Sequence, residues 1–206
     1  MLISAQKMKS IVTTICEIDP KFNVVVSDSP LCTIGRKASS ESNYQSLVSS
    51  VVSQQLSGKA ASTIHGRLQE LVGGEINPQT IALQSVENLR AVGLSGAKTK
   101  TILGLTDSVM AGLPIEQLHD FEDAEILRLL TEIWGIGEWT VHMFMMFQIG
   151  HLDIWPTGDL GVRKGWEFIH NSRKELTPKE LGIKGEKLRP YRSVVAWYCW
   201  RALDNR

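Results

Sequence analysis

Leu130-Thr-Glu-Ile-Trp-Gly-Ile-Gly-Glu-Trp-Thr-Val141 places Gly135 and Gly137 one residue apart, between two runs of apolar residues at helical spacing, 123–133 and 138–149. Glycines in that register permit positive φ and a tight backbone. They leave amide N–H groups pointing outward where the second helix begins. Such a nest draws phosphate through directed donors and the helix dipole, and it grips backbone without reading base sequence. A helix–turn–helix corner with no ligand uses the same glycines, so the spacing alone leaves both readings open.

Helical periodicity continues on both sides. Segments 44–56 and 59–72 read as amphipathic helices, broken by Gln54-Gln55-Leu56-Ser57-Gly58, and Gly73-Gly74 stops the second. Shorter helices are expected at 86–92 and 98–110, another from about 159, and a last one at 190–203 with Pro190 in its first turn. Only 22–26 reads as a strand, and an all-α fold follows. The turn in Leu89-Arg-Ala-Val-Gly-Leu-Ser-Gly96 echoes the one in 130–137, a similarity common among helix pairs. No low-complexity linker divides the 206 residues, so any two lobes must be interwoven through the core.

Composition excludes several classes. No run of eighteen apolar residues is present to span a membrane. The stretch 1–19 lacks the charged start, apolar stretch and small-residue site of a secretory signal, which points to the cytoplasm. Cys16, Cys32 and Cys199 are too few and too scattered for a disulfide framework or an iron–sulfur cluster, and read as buried thiols. The five histidines show no ligand spacing, so no transition-metal site is assigned. Net charge is zero, yet eleven of the 22 Lys and Arg fall after residue 160 with only five acidic residues, while 107–159 holds Arg128 as its only Lys or Arg. A neutral chain with one basic face can still grip phosphates.

Asp153-Ile-Trp-Pro-Thr-Gly-Asp159-Leu-Gly-Val-Arg-Lys164 sets a carboxylate after a Pro/Gly turn, twenty residues beyond Trp139. There it would cap a helix. The dipole and free N–H donors also favour its charged form, which suits stabilising a developing positive charge. Asp153 precedes the turn and is expected to cap or pair locally.

Taken together, 130–141 and Trp155-Pro-Thr-Gly-Asp159 resemble the helix-hairpin-helix, Gly/Pro-rich, Asp superfamily of DNA glycosylases, and within it the 3-methyladenine DNA glycosylase II family. Val52-Ser-Gln-Gln-Leu-Ser-Gly-Lys-Ala-Ala61 and Pro190-Tyr-Arg-Ser-Val-Val-Ala-Trp-Tyr-Cys-Trp-Arg201 resemble further segments of that family, in the same order. The likeness covers 44–201; residues 1–40 show little of it and are expected to join one lobe.

The resemblance implies a single compact helical domain over 1–206, in two interwoven lobes with a DNA-binding cleft between them. It implies a base-flipping hydrolase acting on alkylated purines in double-stranded DNA as a monomer. Location would be nucleoid-associated in a bacterium and nuclear in a eukaryote. Asp159 would be the catalytic carboxylate, stabilising oxocarbenium-like charge on deoxyribose or orienting the attacking water. Trp139 and Trp200 match aromatic positions of the base pocket, where a cationic purine is attracted to the ring face. Trp134 is a further candidate, and Met143 falls where some relatives carry an aromatic. Taken singly, each of the six tryptophans reads as core.

Gln54, Gln55, Leu56 and Ser57 match the wedge-bearing turn that fills the hole left by flipping, with Gln55 the best match and Leu56 the apolar alternative. Gly135, Gly137 and Thr140 would contact DNA at the hairpin. Lys59, Lys98, Arg163, Lys164 and Arg192 are phosphate-binding or plain surface residues. Lyase relatives carry a lysine two residues after the second hairpin glycine; here that position is Trp139, which implies base release without strand cleavage. No cofactor is implied beyond a monovalent cation that related hairpins hold by backbone carbonyls. Rival readings are a glycosylase for deaminated or mismatched bases, a non-catalytic DNA-binding hairpin module, and a helical protein-interaction domain.

Overall fold

The computed structural model describes residues 2–204, and these are helix and turn with no strand among them. In chain order the α-helices are α1 (Ala5–Ile18), α2 (Asn23–Ser27), α3 (Asn43–Ser53), α4 (Gly58–Leu71), α5 (Pro78–Ala82), α6 (Val86–Ala91), α7 (Gly96–Met110), α8 (Asp123–Thr131), α9 (Glu138–Phe144), α10 (Leu160–Ile169), α11 (Pro178–Gly185) and α12 (Arg192–Asp204). Short polar side chains set their starts. Ser4, Ser42, Ser57, Asn77, Ser85, Ser95, Asp159 and Thr177 each accept an N–H from the first turn. Each such cap is worth about 1 kcal/mol.

Two expectations are corrected. Segment 22–26 is not a strand: a 3-10 turn, Pro20–Phe22, leads into α2. Asp19 accepts the Lys21 N–H and Pro20 fills the first position, a helix start signal that outweighs the β preference of three valines. An isolated strand would also leave its backbone groups unpaired. The last helix begins at Arg192, so Pro190 lies outside it, after a cis Arg189–Pro190 peptide bond. A 3-10 turn, Glu186–Leu188, occupies the preceding residues instead. Among smaller differences, α3 stops at Ser53, and α9 passes into a π turn, Met145–Ile149, where one helix was expected to run through. The sequence reading did not anticipate α5, α11 and the 3-10 turn Ile115–Asp120.

The chain divides into two compact units, Met1–Ala38 with Met145–Arg206, and Ser39–Phe144. In the first, α10 packs along α12, and α1 contributes Met8, Ile11, Val12 and Ile15 to the core. Trp155, Trp166 and Trp197 are buried there, as core tryptophans should be. Cys32 and Cys199 are buried reduced thiols, and burial pushes the Cys32 thiol up to about 12. In the second unit, Leu47, Val48 and Val51 of α3 are buried, as are Ile102 and Leu105 of α7. Tyr44 shares a 2.7 Å hydrogen bond with Thr106. Glu116 accepts the N–H groups of Asn43 and Tyr44 at the start of α3.

One charged cluster in the first unit surrounds a buried carboxylate. Asp19 is buried, and its Oδ2 lies 3.0 Å from both His170 Nε2 and Lys187 Nζ. Burial would raise its pKa, but the hydrogen bonds and charges of His170 and Lys187 outweigh that and hold it below the ordinary 3.8. A lowered folded-state value means stability that is complete above 3.8 and lost as pH falls through the folded value. Denaturant unfolding between about pH 5 and pH 3 should therefore show wild type losing stability more steeply than Asp19→Asn. Equal slopes would refute the assignment.

Candidate active site

Asp159 caps α10. Its Oδ1 accepts the Val162 N–H at 2.8 Å and the Trp200 indole N–H at 3.0 Å, so the carboxylate is oriented by two donors from two helices. The Pro-Thr-Gly turn before it is braced by Arg163, which donates to the carbonyls of Thr157 (3.1 Å) and Gly158 (3.0 Å). Trp200 is half-buried, and Phe147 of the π turn lies against it with ring centroids 5.9 Å apart. Two glycines allow this approach of α10 to α12. A Cβ at Gly161 would sit 2.8 Å from Trp200 Cδ1 and 3.1 Å from Asp159 Oδ1, and one at Gly165 would overlap the Cys199 carbonyl. Asp153, the other carboxylate of the region, is taken by Arg192 (2.8 Å) and Arg189 (3.1 Å). It is structural, and so is Arg192, which is almost fully buried.

In the second unit, the two hairpin glycines differ in what they do. Gly135 has φ +86° and packs so closely on Thr101 that a Cβ would overlap its hydroxyl. Gly137 has no such constraint: a Cβ there would meet nothing within 4 Å. Ile136 between them is buried and anchors the turn. The α3–α4 turn is tied to the hairpin by Gln54, whose Nε2 lies 3.5 Å from the Gly135 carbonyl. Gln55 is exposed and held at φ +57°, an unusual conformation for a residue with a side chain. Leu56 is also exposed, and Ser57 caps α4. Lys98 donates to the Val52 carbonyl at 2.8 Å, which closes the end of α3. Lys164 pairs with Glu167 and Glu175, and Lys59 is exposed.

Beside this turn is a chamber of about 700 Å³. It is lined by Trp139, Thr140 and Met143 of α9, by Gln54 and Gln55 of the turn, and by serines of α3. Trp139 is 53 % exposed although it is a large aromatic. Trp134 is equally exposed but is not among the chamber's lining residues; Lys100 Nζ sits 4.2 Å from its ring centroid.

A family model described as "HhH-GPD superfamily base excision DNA repair protein" matches residues 48–190. The chain belongs to this superfamily.

Individual HhH-GPD proteins agree. A solved structure of a DNA-3-methyladenine glycosidase from Bacillus halodurans superposes with a TM-score of 0.83 at 36% identity, covering 93% of this chain and 88% of that one. The 3-methyladenine DNA glycosylase of Schizosaccharomyces pombe, solved in complex with abasic DNA, gives 0.75 at 29% identity over 94% and 95% of the two chains. By sequence, DNA-3-methyladenine glycosylase 1 of the same yeast is 32% identical over 77% of this chain and 71% of its own. HhH-GPD membership explains why the α3–α4 turn, the hairpin and the acidic cap of α10 follow one another in this order along the chain. It did not disclose Gly161, Gly165, Phe147 or the Arg163 brace. The Gly-x-x-x-Gly spacing at 161–165 was the legible signal for the first two. Nothing in the sequence pointed to the other two.

Proposed function

We propose that this chain is a monofunctional DNA glycosylase that flips alkylated purines of the 3-methyladenine type out of double-stranded DNA and hydrolyses their N-glycosidic bond, leaving an abasic site. The observation that carries the reading is Asp159, a carboxylate fixed by the α10 N-terminus and the Trp200 indole. As the base departs, positive charge develops on the deoxyribose. A pre-oriented carboxylate stabilises that charge without reorganising, and it can orient the attacking water. Trp139 offers an exposed aromatic face to a base that alkylation has made cationic, an attraction of up to about 2 kcal/mol when desolvated. Trp200 orients Asp159 through its N–H and offers its own ring to the substrate, and Met143 shapes the chamber beside Trp139.

The hairpin binds backbone. Gly135 is required by the turn itself. The open space at Gly137 lets a phosphate approach the amides at the start of α9, with Thr140 in the first turn behind it. The Gly135 carbonyl, which Gln54 reaches only at 3.5 Å, is the group a monovalent cation would use there. Gln55 is the wedge: its strained, exposed conformation points to a role beyond packing, with Gln54, Leu56 and Ser57 supporting the turn. Trp134 carries Lys100 and takes no part in the base site. The protein works as a monomer in the compartment that holds the DNA.

Trp139 occupies the position of the lyase lysine and has no amine to form a Schiff base. Incubation with a methylated duplex should release free methylated purine and leave the strand unbroken until alkali is added. Cleavage before alkali would refute the monofunctional assignment. Faster release of hypoxanthine or uracil than of 3-methyladenine would favour a glycosylase for deaminated bases.

A further inference from the structure

The chamber beside Trp139 is not lined by aromatic surface alone. Glu41 is half-buried in its wall and is the one charged residue among the described residues that line it. Its backbone is held in place by an N–H bond to Ser39 Oγ at 3.1 Å. The α3 side of the wall is hydroxylated. Ser49 is engaged by His65 at 3.0 Å, and Ser53 donates back to the Ser49 carbonyl at 2.8 Å. Ser46 and Ser50, one turn apart, share the lining with Glu41.

We propose that Glu41 is a specificity-determining residue that selects cationic purines over neutral ones of the same shape. The inference rests on reading this chamber as the place that receives the base. A ring-nitrogen alkylpurine carries a full positive charge, so a carboxylate in the same partly desolvated chamber attracts it and offers a neutral purine no such gain. The ring face of Trp139 acts in the same direction, but it also stacks neutral bases; a charge discriminates by sign. Ser46 and Ser50 can accept from or donate to the groups on the purine edge, which leaves the charge preference to Glu41.

A bland alternative is that Glu41, just before the Ser42 cap, only favours the N-terminus of α3 through the helix dipole. The two are separated by comparing ligands of equal shape and unequal charge. Duplexes carrying 7-methylguanine, a cation, and 7-methyl-7-deazaguanine, its neutral isostere, are titrated with the full chain bearing Asp159→Asn, so that the base stays attached. The cationic duplex should bind more tightly. Adding Glu41→Gln should shrink that preference about tenfold, equivalent to about 1.4 kcal/mol, whereas Glu41→Asp, which keeps the charge, should retain most of it.

Absence of any preference, an unchanged preference in Glu41→Gln, or equal weakening of both duplexes would overturn the proposal, the last result being what a purely helix-stabilising residue gives. Base release by the wild type is measured alongside. If 7-methylguanine is released while the preference does not move, Glu41 alone is misassigned. If the wild type releases no methylated purine, the functional reading fails and the inference with it.

Discussion

Replacing Asp159 by Asn should leave duplex binding near the wild-type level and reduce release of methylated purine by at least about a hundredfold, a loss of roughly 2.7 kcal/mol of transition-state stabilisation. The substitution isolates charge from structure. Asn caps helices as well as Asp does, and its side-chain oxygen can still accept from Val162 N–H and the Trp200 indole. The geometry therefore survives while the negative charge opposite the developing cation is removed. Three measurements check this: single-turnover base release, affinity for methylated duplex, and melting temperature. Undiminished release would refute the catalytic role of Asp159. Reduced release accompanied by a large fall in melting temperature would instead make Asp159 a structural cap.

Gly165→Ala should lower stability by about 2–3 kcal/mol, which for a chain of this size is a fall of roughly 5–10 °C in Tm. Local reasoning gives the opposite sign. Alanine is favoured over glycine within a helix by up to about 1 kcal/mol, and Gly165 lies in the middle of α10. The tertiary contact overrides that preference, because the new Cβ would overlap the Cys199 carbonyl, and a backbone atom cannot turn aside as a side-chain tip can. α10 and α12 must then move apart. Since α10 carries Asp159 and α12 carries Trp200, the 3.0 Å bond between them should weaken, and base release should fall together with stability. A raised Tm would show that the two helices are not packed as tightly as described.

The legibility of this chain varies from residue to residue for physical reasons. Periodicity and caps are local, so the helices flanking Gly135 and Gly137 could be placed within a few residues, and so could Asp159 as the start of α10. The three valines at 24–26 mislead because β preference says nothing of what would pair with them; Val24 is 70% exposed and only Val25 is buried. Pro190 misleads in the same way. A proline suits a first turn, but whether a turn begins there depends on what the preceding chain packs against. Among the tryptophans, spacing could not separate Trp155, Trp166 and Trp197, which fill the core, from Trp134 and Trp139, which stand half out of it.

The amino-acid sequence by itself determined the helical class, the Gly-x-Gly hairpin turn, the acidic helix cap and the absence of a lysine at position 139, because each depends on residues close together along the chain. Tertiary structure alone decided that Trp200 donates to Asp159, that Gly135 is needed for packing while Gly137 is not, that Asp153 and Arg192 neutralise each other, and that Glu41 shares a chamber with Trp139. Those facts require residues far apart in the chain to meet, and no local propensity encodes such a meeting.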